Sequence, residues 1–476
     1  MLVALLALPA PALAARADWP LWRGDAQNTA FTRLSTRGQP TKIEAWRFRA
    51  GSHVWGYQPG MSVWSSPAVG LVDGRPVVFV GSYDHNVYAL DARTGSKRWR
   101  FTTGGGVYAA PVLWQPPAGR ALLFVASSDR MVYALDADLG RREWVYTVET
   151  WRPTIGGARL SSPAVGRAAG RDALFVGHWV WDKSLSGHLQ AGGLSAVDAA
   201  SGKKIWSASL GDNRVSSPIY ADLTRQGGRV FVASENGNLY ALSADDGKVL
   251  WAHTERDAVM GSPALFQLGD RAFVVIGSKY GRLRCLDTEK GTPVWTYKTG
   301  HWIDGSAAVA RVGGRLVVLV GSYDTYLHAV DAASGAPLWR YQTAGGVYAS
   351  PALAPEGGKP PRVLITSWDH HLHCVDGTDG SLLWSAFLGR PIWDSVSLGD
   401  SIWSSPVVAE IDGKQVAYVG SYAGPFYAVP LDEAARKALA RPSSNIDFWL
   451  TMPVVLLVVT AMTLLVTRRH RRRATR

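Results

Sequence analysis

The chain has 476 residues, 18% of them charged, with 21 Trp, 50 Gly, 26 Pro and a formal net charge of +12. Asp447 and the six Arg that follow it carry +5, leaving +7 over residues 1–446 and no Lys/Arg stripe of the kind that tracks a phosphate backbone; a nucleic-acid-binding role is excluded. Length alone suggests two or three domains, but a closed ring of repeats absorbs this many residues as one, because each unit buries its faces against two neighbours.

Residues 1–17 are apolar and rich in Ala, Leu and Pro, with small-x-small patterns at Ala12-Leu13-Ala14 and Ala15-Arg16-Ala17. They read as a signal peptide without a basic start. Residues 18–41 follow as an extended lead-in, beginning Asp18-Trp19-Pro20-Leu21-Trp22-Arg23-Gly24-Asp25 and expected on the outside of the fold. Residues 42–48 then form a lone Trp-bearing strand with no repeat unit in front of it.

From Ser65 onward one pattern returns. Each unit opens with two small residues, in most cases followed by Pro: Ser65-Ser66-Pro67, Ala109-Ala110-Pro111, Ser161-Ser162-Pro163, Ser216-Ser217-Pro218, Gly261-Ser262-Pro263, Gly305-Ser306-Ala307, Ala349-Ser350-Pro351 and Ser404-Ser405-Pro406. An apolar strand, a polar turn and a Tyr-Ala-Leu-Asp-like strand come next. The unit closes on Asp-x-x-x-Gly-x-x-x-Trp, as in Asp91/Gly95/Trp99 and Asp287/Gly291/Trp295, with Ser243 in place of the Asp before Gly247/Trp251. Most successive Trp residues stand 44 or 45 positions apart. Short alternating strands at this period predict a β-propeller. Eight openings meet only seven closing Trp residues after position 65. Trp46 supplies the eighth, so the prediction is an eight-bladed propeller of four-stranded antiparallel blades over residues 42–431, closed by the N-terminal strand. Cys285 and Cys374 fall on equivalent positions two blades apart and are expected to be separate buried thiols.

Residues 432–447 read as a linker. Residues 448–466 carry no charge and are long enough, as a helix, to cross a bilayer; the Arg-rich residues 467–476 would then lie on the cytoplasmic side. The expectation is a single-pass protein of the cytoplasmic membrane with its propeller outside.

The repeats and the lead-in resemble the pyrroloquinoline-quinone-like propeller superfamily over roughly residues 18–431. That resemblance implies either a quinoprotein dehydrogenase, with the quinone and calcium, or a non-catalytic propeller like the outer-membrane barrel-assembly lipoprotein B. The vicinal Cys pair and acidic calcium cage of the dehydrogenases have no counterpart here, so no catalytic residue and no cofactor are assigned. His371 and His373 alternate onto one strand face and are the weak metal candidates, but Asp369-His370 repeats the ordinary turn and His373 stands where Tyr88 and Tyr133 stand. The residue before each small pair is expected to ring the axial opening. Tyr348, Trp403, Trp64 and Tyr108 would form an aromatic arc, with Leu160, Val215 and Met260 opposite and Asp304 between. Trp55, Tyr57, Trp302 and Trp393 would widen it. The insertion 177–193, with Trp179 and Trp181, reads as a contact loop. The favoured function is a scaffold or sensor that binds an envelope protein or small ligand; the alternatives are an oxidoreductase and an envelope assembly factor.

Overall fold

The computed structural model describes residues 31–34, 45–50, 63 and 65–432, apart from 117, 149–157, 182–189, 212–213, 224–226, 256, 389–403 and 421–424. Eight antiparallel sheets make a ring. In blade 1 the strands Ala68–Val72, Arg75–Gly81, Asn86–Asp91 and Lys97–Thr102 pair in sequence from hub to outer wall. The second strand reads Val77-Val78-Phe79-Val80 and is wholly buried, because each sheet is covered on both faces by its neighbours.

Closure follows the Trp count. Trp46–Phe48 pairs antiparallel with Phe426–Pro430, Trp46 opposite Ala428 and Phe48 opposite Phe426, and completes blade 8. The lead-in behaves differently from expectation. Phe31–Leu34 runs parallel to Val407–Ile411, the innermost strand of blade 8, and approaches the inner strands of blades 1 and 7. It lies inside the bore, at the end farther from the Ser-Ser-Pro openings, with Leu34 buried and Arg33 paired to Glu410 at 2.9 Å. Its alternation puts Leu34 into the core that residues 46–48 also join.

Two further expectations are corrected. The fold is all-β: the described residues contain no helix, and none long and apolar enough to cross a membrane, so the predicted membrane-spanning helix and the single-pass location drawn from it do not stand. The segments read as signal peptide, membrane span (448–466) and basic tail lie outside the described residues. The insertion in blade 3 is largely a hairpin rather than a loop. It lengthens Arg171–Trp181 and Gln190–Asp198, and the short strand Ala158–Leu160 adds to its edge.

The Asp-x-x-x-Gly-x-x-x-Trp unit holds the outer wall together. The Asp carboxylate caps its own turn: Asp287 Oδ1 accepts from the backbone N–H of Glu289 and Lys290. The Gly adopts positive φ, as at Gly291 with φ 69°. The Trp of the preceding blade lies flat against it, so that a Cβ at Gly291 would stand 2.5 Å from the Trp251 ring. Only glycine meets both demands. The first seven of the eight Trp residues also donate their indole N–H to a backbone carbonyl of the next blade, Trp295 to Ala332 at 2.8 Å among them. Each contact joins a large ring, buried at Trp206 and Trp295 and half-buried at the others, to a directed hydrogen bond across the seam.

Candidate functional site at the axial mouth

Where the inner strands begin, the small pairs knit the hub. The second Ser of one blade offers its Oγ to the backbone N–H of the blade before. This bond recurs from Ala110 to Ser162, Ser162 to Ser217, Ser262 to Ser306, Ser306 to Ser350 and Ser350 to Ser405, at 2.9–3.2 Å. Small side chains here give room for the converging backbones and also supply the acceptor.

Above this belt opens a cavity of about 380 Å³. Tyr108, Met260, Asp304 and Tyr348 line it, as their position before the small pairs predicted. Trp64 and Trp403, the other half of the aromatic arc, lie outside the described residues, as do Trp55, Tyr57 and Trp393. Leu160 and Val215 line it as well, but at 6% and 3% exposure they are largely buried and also serve as packing anchors. Val215 packs on Gly177 as Val107 packs on Gly81 and Val347 on Gly321. In blades 1, 2, 5, 6 and 7 the apolar anchor stands two residues before the small pair; in blades 3 and 4 it stands one before. Arg159 and Arg214 take the vacated place and reach the cavity. That shift was readable in the sequence as Val or Ile at 63, 107, 259, 303, 347 and 402 against Arg at 159 and 214.

The rim therefore mixes charged and aromatic groups. Arg159 sits 5.0 Å over the Tyr108 ring, which meets Tyr83 edge-on at 5.3 Å. Arg214 pairs with Glu235 at 3.5 Å. On the other side Tyr323 touches Tyr348, Trp368 and Trp302, with ring centroids 5.8, 4.9 and 5.5 Å apart. Trp302 is exposed, with Lys279 5.7 Å over its ring, and extends this cluster outward. Tyr83, Tyr323 and Trp368 escaped the sequence reading, although they share one signal, the middle residue of Ser-x-Asp in the turn after the second strand.

Asp304 faces the cavity with Oδ1 buried and without a hydrogen-bond partner among the described residues. Burial pushes its carboxyl up, Glu235 and Asp257 add to that, and Lys279 and His301 oppose it. Burial likewise raises the Tyr348 phenol to about 12, helped by the negative charge of Asp304. The hydroxyl stays protonated and can donate.

The quinone and calcium implied by the superfamily find a poor donor set here. A hard cation of calcium's size takes six to eight oxygens. Among the described residues Glu235 and Asp304 are the carboxylates lining the cavity, and Glu235 is tied to Arg214. Cys285 and Cys374 are separate buried thiols in different blades.

His371 and His373 lie elsewhere, on the third strand of blade 7 at its seam with blade 6. His373 Nδ1 is 3.0 Å from Tyr341 Oη, and its Nε2 is 3.1 and 3.0 Å from the two carboxylate oxygens of Asp369.

The family model described as outer membrane protein assembly factor BamB matches residues 39–234, 190–301 and 261–471. Among curated relatives, the outer membrane protein assembly factor BamB of Salmonella typhimurium is 37% identical over 67 residues, 13% of this chain and 17% of that protein. The chain thus aligns with under a fifth of that relative's length. Quinohemoprotein alcohol dehydrogenase from Comamonas testosteroni superposes with a TM-score of 0.63 at 15% identity, covering 87% of this chain and 81% of that one. BamB from Moraxella catarrhalis superposes at 0.52 and 15% identity, covering 76% and 92%. At such identities the two structures show the shared fold alone.

Proposed function

Since the chain belongs to the propeller family described as outer membrane protein assembly factor BamB, we propose that it is a non-catalytic, protein-binding propeller of envelope assembly whose axial mouth receives a polypeptide segment. One observation carries the mouth as the docking place: a buried Asp304 oxygen with no hydrogen-bond partner among the described residues, set in a cavity walled by Tyr348, Tyr108 and Met260. An unpaired buried acceptor is costly, and an N–H or ammonium group from a guest relieves it. The flanking rings supply apolar area of the kind that anchors peptides. An oxidoreductase reading draws on the same fold but meets the poor calcium donor set of the mouth.

The test places a photo-crosslinking residue at Met260 in the full chain, in cells producing outer membrane proteins. Trapping of a protein partner that is lost in Tyr108→Ala and Tyr348→Ala, at unchanged melting temperature, supports the reading. Trapping indifferent to both substitutions removes the mouth from it. Dye reduction with an alcohol after addition of the quinone and calcium overturns the non-catalytic assignment.

A further inference from the structure

The seams between blades reuse one device. A residue two past the Trp on an outer strand meets a Tyr or His on the third strand of the next blade, and that residue binds the Asp of its own turn. Phe101 meets Tyr133, whose hydroxyl donates to Asp129 at 2.7 Å. Tyr297 meets His328 Nδ1 at 2.9 Å, and His328 Nε2 lies 3.1 and 3.0 Å from the Asp324 oxygens. Tyr341, His373 and Asp369 repeat the blade 6 arrangement in blade 7 almost atom for atom. The Asp–His pair is thus part of the fold and by itself says nothing of a ligand.

Blade 7 departs from blade 6 at one position. Blade 6 carries Tyr326 where blade 7 carries His371. His371 Nδ1 lies 3.6 Å from Asp369 Oδ1, its ring centroid lies 5.7 Å from that of His373, and its side chain is 35% exposed. One ligand atom from each of Asp369, His371 and His373 falls within 4.8 Å of the others. We propose that this blade 7 seam is a site for a first-row divalent cation of the zinc class, held by an Asp369 oxygen, a ring nitrogen of His371 and Nε2 of His373.

The chemistry of the set favours that class. Two imidazoles and one carboxylate suit zinc, nickel or copper over calcium or magnesium. Zinc–ligand bonds of about 2.0–2.2 Å need donor atoms somewhat closer than 4.8 Å, so metal binding would require the part-exposed His371 ring, whose Nδ1 now lies 2.7 Å from the Asp369 backbone carbonyl oxygen, to turn toward the carboxylate. The second partners are already in position. Tyr341 holds His373 at Nδ1, which directs Nε2 toward the carboxylate, as metal-ligating imidazoles are ordinarily held. The backbone N–H groups of Ala344 and His371 fix the carboxylate through Oδ2 and Oδ1.

The test uses the full chain without an affinity tag, stripped with chelator and titrated with Co²⁺ and then Zn²⁺. Calorimetry and the visible absorption of bound Co²⁺ are expected to report a site that His371→Tyr, which restores the blade 6 residue, weakens by about 100-fold or more. Tyr341→Phe is expected to weaken it by about 10-fold through the orientation of His373. Melting in chelator checks that each variant is folded. If His371→Tyr unfolds, His371→Gln carries the same expectation. Zn²⁺ or Co²⁺ binding unchanged by loss of His371, or no binding by the intact chain, overturns the proposal.

Discussion

The outer wall and the axial mouth are built from the same repeat and obey opposite rules. On the wall the same residues recur around the ring: Trp lies on Gly, its indole N–H reaches a carbonyl of the next blade, and an Asp or its substitute caps the turn. At the mouth six blades contribute a mixture of unlike residues: Tyr108 and Tyr348, Arg159 and Arg214, Met260 and Asp304. The same contact at seven of the eight seams makes a ring that closes and stays closed. A ring so secured tolerates variety where the blades converge, and that variety is what a partner can distinguish.

The largest break in this contrast is expected on the wall. Gly291→Val adds a Cβ 2.5 Å from the Trp251 ring at a φ of 69°; it should cost about 4 kcal/mol in urea unfolding. Met260→Ala at the mouth should cost about 1 kcal/mol or less by the same measurement.

Next comes His178, buried in the blade 3 hairpin, with its imidazole lowered by burial from 6.5 to about 4. The unfolded chain binds the proton first, so stability is full above about pH 6.5 and falls toward pH 4, by about 3 kcal/mol in all. His178→Leu should flatten that slope in unfolding curves taken across the window.

A smaller loss is expected at the hub. Ser306→Ala removes the acceptor of the Ser262 N–H, bonded at 3.0 Å, for about 1 kcal/mol of stability. Thermal melting would show it, and an unchanged midpoint would mean that water replaces the hydroxyl.

Smallest, and opposite in sign, is Asp304→Asn. The carboxyl is raised by burial, so its ionised form opposes folding at neutral pH, and stability rises as pH falls through the folded value. The neutral amide should raise the melting temperature slightly at pH 7 and weaken capture of a partner at the mouth. A stabilised variant with undiminished capture would separate Asp304 from binding.

The ring was legible because it is periodic. The Asp, Gly and Trp spacing, the small pairs and the orphan Trp46 lead to eight blades and to the strand that closes them. What the Gly at each turn does was only half legible. Spacing announces a turn, but the indole lying on the glycine face belongs to the preceding blade, beyond any local pattern. The bore strand was missed because Phe31-Thr32-Arg33-Leu34 is four residues long and pairs with a strand more than 370 positions away. Arg159 and Arg214 were missed for another reason. The apolar anchor slips by one residue in blades 3 and 4, and an alignment fixed on the small pairs picks out Leu160 and Val215, which line the cavity but are largely buried, and passes over the Arg before each.

One stretch of chain grips the last blade on both flanks: Phe31–Leu34 along its hub edge and Trp46–Phe48 along its wall edge. During synthesis those segments leave the ribosome early, yet their pairing partners emerge about 380 residues later. Until then the nascent disc has an open slot with two unsatisfied strand edges, the sort of surface that chaperones cover and neighbouring chains invade. Shutting the slot is the step with the greatest sequence separation in the molecule, and so the natural bottleneck of its maturation.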